Sequence, residues 1–151
     1  MNKILNGPAI NNNPGKFDKI IIFLHGYGAN GNDLISIGKF WQKELPNTMF
    51  ISPNAPFDCP WGDGAYQWFE LSSISPETIG GGLKKAGPYL NEFIDHISKE
   101  TKIPIDKIFF VSFSQGTMMA LYHLCKRNSI CAGIMGYSGL LFCDKNFDLS
   151  I

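Results

Sequence analysis

Ile20-Ile21-Ile22-Phe23-Leu24 is an unbroken run of five apolar residues, most of them β-branched. Neither side of such a segment can face water, so it reads as a strand buried on both faces. Strands of that kind belong to parallel sheets covered by helices above and below. Shorter runs repeat the signal at Met49-Phe50-Ile51, Ile108-Phe109-Phe110-Val111 and Ala132-Gly133-Ile134-Met135, with helical periods between most of them. The order is that of an α/β fold with a mostly parallel sheet and flanking helices. The length of 151 residues suffices for one core and not for two, so residues 1–151 read as a single domain.

The first helix is expected to start with Asn32 or Asp33 as N-cap and to carry Leu34, Ile37, Trp41 and Leu45 on one stripe, until Pro46 ends it. A second places Pro88 just inside its N-terminus, lines one face with Leu90, Phe93, Ile94 and Ile97, and closes before Pro104. The third runs from about Gln115 to Arg127 with Met118, Leu121, Tyr122 and Cys125 in register. Between the second strand and Pro88, residues 53–87 are rich in proline and hold Trp61, Trp68 and the triplet Gly80-Gly81-Gly82. They read as a long irregular segment with the triplet as a hinge or loop tip. Segments of that kind in compact domains tend to carry function.

Charge excludes some partners. Thirteen basic residues balance thirteen acidic ones, and Arg127 is the single arginine, so neither a cationic field nor the planar fork suited to phosphate and guanine is available. Nucleic acid is not an expected partner. Cys59, Cys125, Cys131 and Cys143 form no CxxC and no metal-ligand spacing with His25, His96 and His123, so the thiols read as reduced and no metal is implied. No apolar run approaches the roughly 18 residues that a membrane span needs, which makes a cytoplasmic protein the expectation.

Chemistry is most legible at Val111-Ser112-Phe113-Ser114-Gln115-Gly116, where a strand ends and a helix begins within four residues around one serine. A nucleophile elbow needs that context. The serine sits in a strained turn that lifts its hydroxyl off the sheet, so the residues two before and two after it must be small, as Ser112 and Gly116 are. Helix N–H groups at Gln115 and beyond would then face a developing oxyanion. The plainer reading makes Ser114 an N-cap.

Leu24-His25-Gly26-Tyr27-Gly28 follows the first buried strand and has the form of the glycine turns that donate an oxyanion-hole N–H. His25 suits a structural hydrogen-bonding role there better than that of a base. The same residues continue as Gly26-Tyr27-Gly28-Ala29-Asn30-Gly31, a G-x-G-x-x-G between strand and helix, so a dinucleotide-binding domain is an alternative. It wants an acidic residue at the end of the next strand, where Ser52-Pro53-Asn54-Ala55-Pro56 stands instead. The Gly80 triplet does not make a P-loop, since no Ser or Thr follows Lys84 and Lys85.

Together LHGYGANGNDL (residues 24–34), SPNAP (52–56), QWFEL (67–71) and SFSQGTMMAL (112–121) resemble the phospholipase/carboxylesterase family of α/β-hydrolases, which includes acyl-protein thioesterases. The similarity spans residues 3–141. It implies an α/β-hydrolase-type fold, Ser114 as nucleophile, and the backbone N–H groups of Tyr27 and Gln115 as oxyanion hole. Trp68 and Met118 would contact substrate, and Gly136-Tyr137-Ser138-Gly139-Leu140 would line the acyl pocket. The substrate would be a small acyl ester or thioester, with no cofactor.

The resemblance also implies an aspartate and a histidine that follow further strands, and in this sequence Ile151 comes first. His123 lies nine residues past Ser114 on the same helix, roughly 13 Å away at 1.5 Å per residue, beyond the reach of a base. His96 falls opposite the apolar face of its helix. Asp144 and Asp148 precede the place of the family's acid, so neither takes the role. Two readings therefore stand, a serine hydrolase and a catalytically inactive truncated remnant. A sheet lacking the C-terminal strands would leave the strand near Ile134 as an unpaired edge beside apolar surface, so self-association, or a marginal or chaperone-bound chain, is expected.

Overall fold

The computed structural model describes residues 4–11 and 14–143. A five-stranded sheet runs in the order β1-β3-β2-β6-β7. Its strands are β1 (Ala9–Ile10), β2 (Lys19–Leu24), β3 (Thr48–Ile51), β6 (Ile108–Phe113) and β7 (Gly133–Tyr137). β1 pairs antiparallel with β3, and every other pair is parallel. The helices are α1 (Gly31–Trp41), α2 (Pro76–Thr101) and α3 (Gln115–Leu124), and a two-stranded ribbon pairs β4 (Phe57–Asp58) with β5 (Tyr66–Gln67).

The period of two along each strand divides the core. Ile20, Ile22 and Leu24 of β2 join Ile108 and Phe110 of β6 under α2 and α3, whereas Ile21 and Phe23 join Phe50 and Val111 under α1. The fully apolar run of β2 is thus explained by helices on both sides. From β2 the chain first moves outward through α1 to β3, then returns through α2 past β2 to β6. With right-handed crossovers this reversal puts α1 on one face and α2 on the other. It also opens a crevice at the C-terminal ends of β2 and β6, where open α/β sheets bind ligands.

Several local expectations are corrected. Asn30, not Asn32 or Asp33, caps α1: its side chain accepts from the Asn32 N–H, and Asp33 Oδ2 accepts from the Asn30 N–H at 2.7 Å, a reciprocal capping box. α2 begins twelve residues earlier than expected, with Ser75 as N-cap and Pro76 in the first turn, so Pro88 lies inside the helix. Ile79, Leu83, Ala86, Leu90, Phe93 and Ile94 form one buried stripe across the proline. Burying two or three such side chains outweighs the roughly 3 kcal/mol that an interior proline costs.

Gly80-Gly81-Gly82 is therefore helical and not a hinge. A Cβ at Gly80 would meet Phe142 at 2.6 Å and one at Gly82 would meet Phe69 at 2.5 Å, so two of the three admit close packing. The third helix stops at Leu124 rather than Arg127.

Among the described residues β7 has a partner on one side only in the strand order. On the α1 face beside it lies a groove of about 630 Å³ lined by Ile21, Trp41, Leu45, Phe109, Val111 and Met135 among others. Asp144 and Asp148 lie outside the described residues. Among those residues, no helix is long and apolar enough to cross a membrane.

Candidate active site

β6 delivers Phe113, and the chain turns at once into α3 through Ser114, whose backbone lies at φ 50°, ψ −115°. Residues other than glycine rarely occupy that region, at a cost of about 1–3 kcal/mol that the surroundings must offset. The Ser114 hydroxyl makes no capping hydrogen bond to α3, so the N-cap reading does not account for it. Close packing forces the turn. A Cβ at Gly116 would stand 2.2 Å from the Leu24 carbonyl oxygen, so only glycine lets α3 start against the end of β2. The Ser114 N–H donates to Tyr137 O at 2.8 Å, and Thr117 Oγ1 donates to the same oxygen at 2.9 Å, tying the turn to the end of β7.

The turn after β2 lies against this serine. A Cβ on Gly26 would come within 3.3 Å of the Ser114 Cβ and 3.1 Å of the Phe113 ring. The Gly28 N–H is taken by Tyr66 O at 2.9 Å. Among the described residues the Tyr27 and Gln115 backbone N–H groups have no such acceptor. Gly28, at φ 75°, leaves room for Trp61, whose ring stacks edge-on to Tyr27 with centroids 5.0 Å apart and stays largely exposed. The Tyr27 hydroxyl titrates above its ordinary value, chiefly through its hydrogen bond with Cys59.

His25 is fully buried and engaged at both nitrogens. Nε2 accepts from the Ala55 N–H at 2.9 Å, which leaves the proton on Nδ1 to donate to Gly26 O at 2.7 Å. Burial holds its pKa below the usual 6.5, against smaller opposing effects of that carbonyl and Asp33. The structural role expected for His25 is what its contacts describe. His123 Nε2 donates to Leu83 O at 2.8 Å, directed at α2 and not at Ser114. Burial lowers its pKa too.

Trp68 differs from its expectation as a substrate contact. It is wholly buried, and its indole N–H donates to His25 O at 2.9 Å. It forms part of the support beneath the site. Met118 is half-buried against the main core, one helical turn beyond Ser114. The Gln115 side chain has a part that its sequence context did not announce, since it bonds the main chain at Trp68 and Phe69. The motif QWFEL was the available signal. Among the described residues no three His, Cys, Asp or Glu side chains gather as a metal would require.

A sequence profile of the phospholipase/carboxylesterase family matches residues 5–150. The chain belongs to that family. Acyl-protein thioesterase 1 of Schizosaccharomyces pombe is 35% identical to this phospholipase/carboxylesterase member over 127 residues, 80% of this chain and 55% of its own length. Acyl-protein thioesterase 1 of Neurospora crassa is 31% identical over 138 residues, 84% of this chain and 56% of its own.

Among solved structures, esterase PE8 superposes with a TM-score of 0.87 at 34% identity, over 93% of this chain and 66% of that one. A phospholipase/carboxylesterase from Dyadobacter fermentans shares the fold at a TM-score of 0.68 and 23% identity, covering 93% of this chain and 63% of its own. The fold is thus that of the α/β-hydrolase esterases. The family member described here spans about half the length of the curated relatives it matches, 55% and 56%.

Proposed function

We propose that this chain carries the nucleophile and the oxyanion donors of a serine hydrolase acting on carboxylic esters or thioesters. The observation that carries the reading is the backbone of Ser114, held at φ 50° between β6 and α3 with its hydroxyl unused by the helix. Strain of this kind persists where function needs it. In the reaction the Ser114 Oγ attacks the acyl carbonyl, its proton passes to a base, and the carbonyl oxygen gains a negative charge. The Tyr27 and Gln115 N–H groups meet that charge. Collapse expels the alcohol or thiol and leaves an acyl-serine, which water then cleaves to free acid.

A second reading, an acyl-binding chain without turnover, is favoured by the commitments of His25 and His123. His25 has no free nitrogen, and His123 faces Leu83. Without a base the serine is barely activated, although oxyanion donors alone leave some rate above that of water. Hydrolysis of nitrophenyl acetate by the wild-type chain and by Ser114→Ala separates the two. Turnover lost in the variant supports the hydrolase, and equal rates in both sink it.

A further inference from the structure

The two amides proposed as oxyanion donors belong to different elements, Tyr27 to the turn after β2 and Gln115 to the start of α3. A donor pair works only if its separation is fixed before the charge develops, because preorganisation is what makes such donors effective. One short segment touches both. On one side Tyr66 O accepts from the Gly28 N–H and the Tyr66 N–H donates to Ala29 O, each at 2.9 Å, so β5 is laced to the turn that holds Tyr27. On the other side Gln115 Oε1 accepts from the Trp68 N–H at 2.8 Å, and Gln115 Nε2 donates to Phe69 O at 2.7 Å. The amide thus uses both ends as a clip on the main chain of the same segment. Trp68 adds a third tie, from its indole N–H to the His25 carbonyl, on the residue that enters the turn. Gln115 and Trp68 are both buried, so water does not compete for these bonds.

We propose that Gln115 and Trp68 are positioning residues, which hold the Tyr27 and Gln115 amides in one fixed relation through residues 66–69 as a brace. This inference rests on the hydrolase reading. Gln115 then acts twice, its backbone N–H toward the oxyanion and its side chain toward the brace. Loosening the brace lets the two donors drift apart while the surface that receives the acyl group stays in place.

The test compares the wild-type chain with Trp68→Phe, which keeps an aromatic ring and removes the indole N–H, and with Gln115→Met, which keeps length and removes the amide. Two readouts are used: hydrolysis of nitrophenyl acetate, and formation of the tetrahedral adduct with butylboronic acid followed by boron NMR, with Ser114→Ala as the blank. In each variant kcat and adduct affinity are expected to fall about 10-fold with KM within about twofold, the split that misplaced donors produce. A role confined to stability would move the melting temperature and leave kcat per folded molecule unchanged. If Gln115→Met fails to melt cooperatively, Trp68→Phe decides alone. Wild-type kcat and adduct affinity in a folded variant overturn the brace and leave the hydrolase reading intact. A wild-type chain with neither Ser114-dependent hydrolysis nor adduct overturns the hydrolase reading, and the brace with it.

Discussion

Gly116 and Leu24 meet backbone to backbone, and a methyl group on Gly116 would lie 2.2 Å from the Leu24 carbonyl oxygen. This contact joins the first turn of α3 to the end of β2, so it sets how far the serine elbow stands above the sheet. Because backbone cannot rotate away as a side chain can, Gly116→Ala must displace α3. We expect a loss of about 2–3 kcal/mol of stability, at the upper end of overpacking costs, together with lost Ser114 reactivity. Urea unfolding and labelling by a fluorophosphonate check both. Wild-type stability in this variant would falsify the packing argument.

Ser114 itself predicts a gain. Its φ of 50° with ψ of −115° is open to glycine and costly for serine. Relief of about 1–3 kcal/mol of strain exceeds the roughly 0.5–1 kcal/mol that glycine's extra freedom costs in the unfolded chain. Ser114→Gly is therefore expected to melt higher than wild type, and Ser114→Ala is not. If the two variants melt alike, the turn is unstrained.

The parts of this fold legible in the sequence are those that a period can encode. Ile20 to Leu24 announced a doubly covered strand, and Ser112, Ser114 and Gly116 announced the elbow by steric need alone. α2 was missed over its first half because Gly80, Gly81, Gly82 and Pro88 all speak locally against a helix, while its reasons lie in Phe69, Phe142 and His123, distant in sequence. The brace escaped for the same reason, since nothing within Gln115's neighbourhood points to Trp68.

Those glycines give opposite predictions for one substitution. Gly81 is exposed with nothing within 4 Å of an added Cβ, so Gly81→Ala should stabilise α2, by about 0.8–1 kcal/mol on helix propensity. At Gly82 and Gly87 the same methyl would lie 2.5 Å from Phe69 and 2.1 Å from His123. Gly82→Ala and Gly87→Ala should destabilise by about 1–3 kcal/mol. Denaturation midpoints of the three variants decide, and a uniform sign among them would refute the packing assignment.

Acid should loosen the molecule through His25 and His123. Both take up a proton less readily when folded than at the ordinary 6.5, because burial disfavours the cation. Above that value both states are neutral and stability is complete. As pH falls below it the unfolded chain binds protons first, so stability declines until the folded values are reached, with a limiting slope of about 1.4 kcal/mol per pH unit for each histidine. For His25 the cation would also set a donor against the Ala55 N–H. Unfolding midpoints measured between about pH 7.5 and about pH 5 should show this decline, and His123→Gln, which keeps a donor for Leu83 O, should lessen it. A flat profile over that range would sink the account.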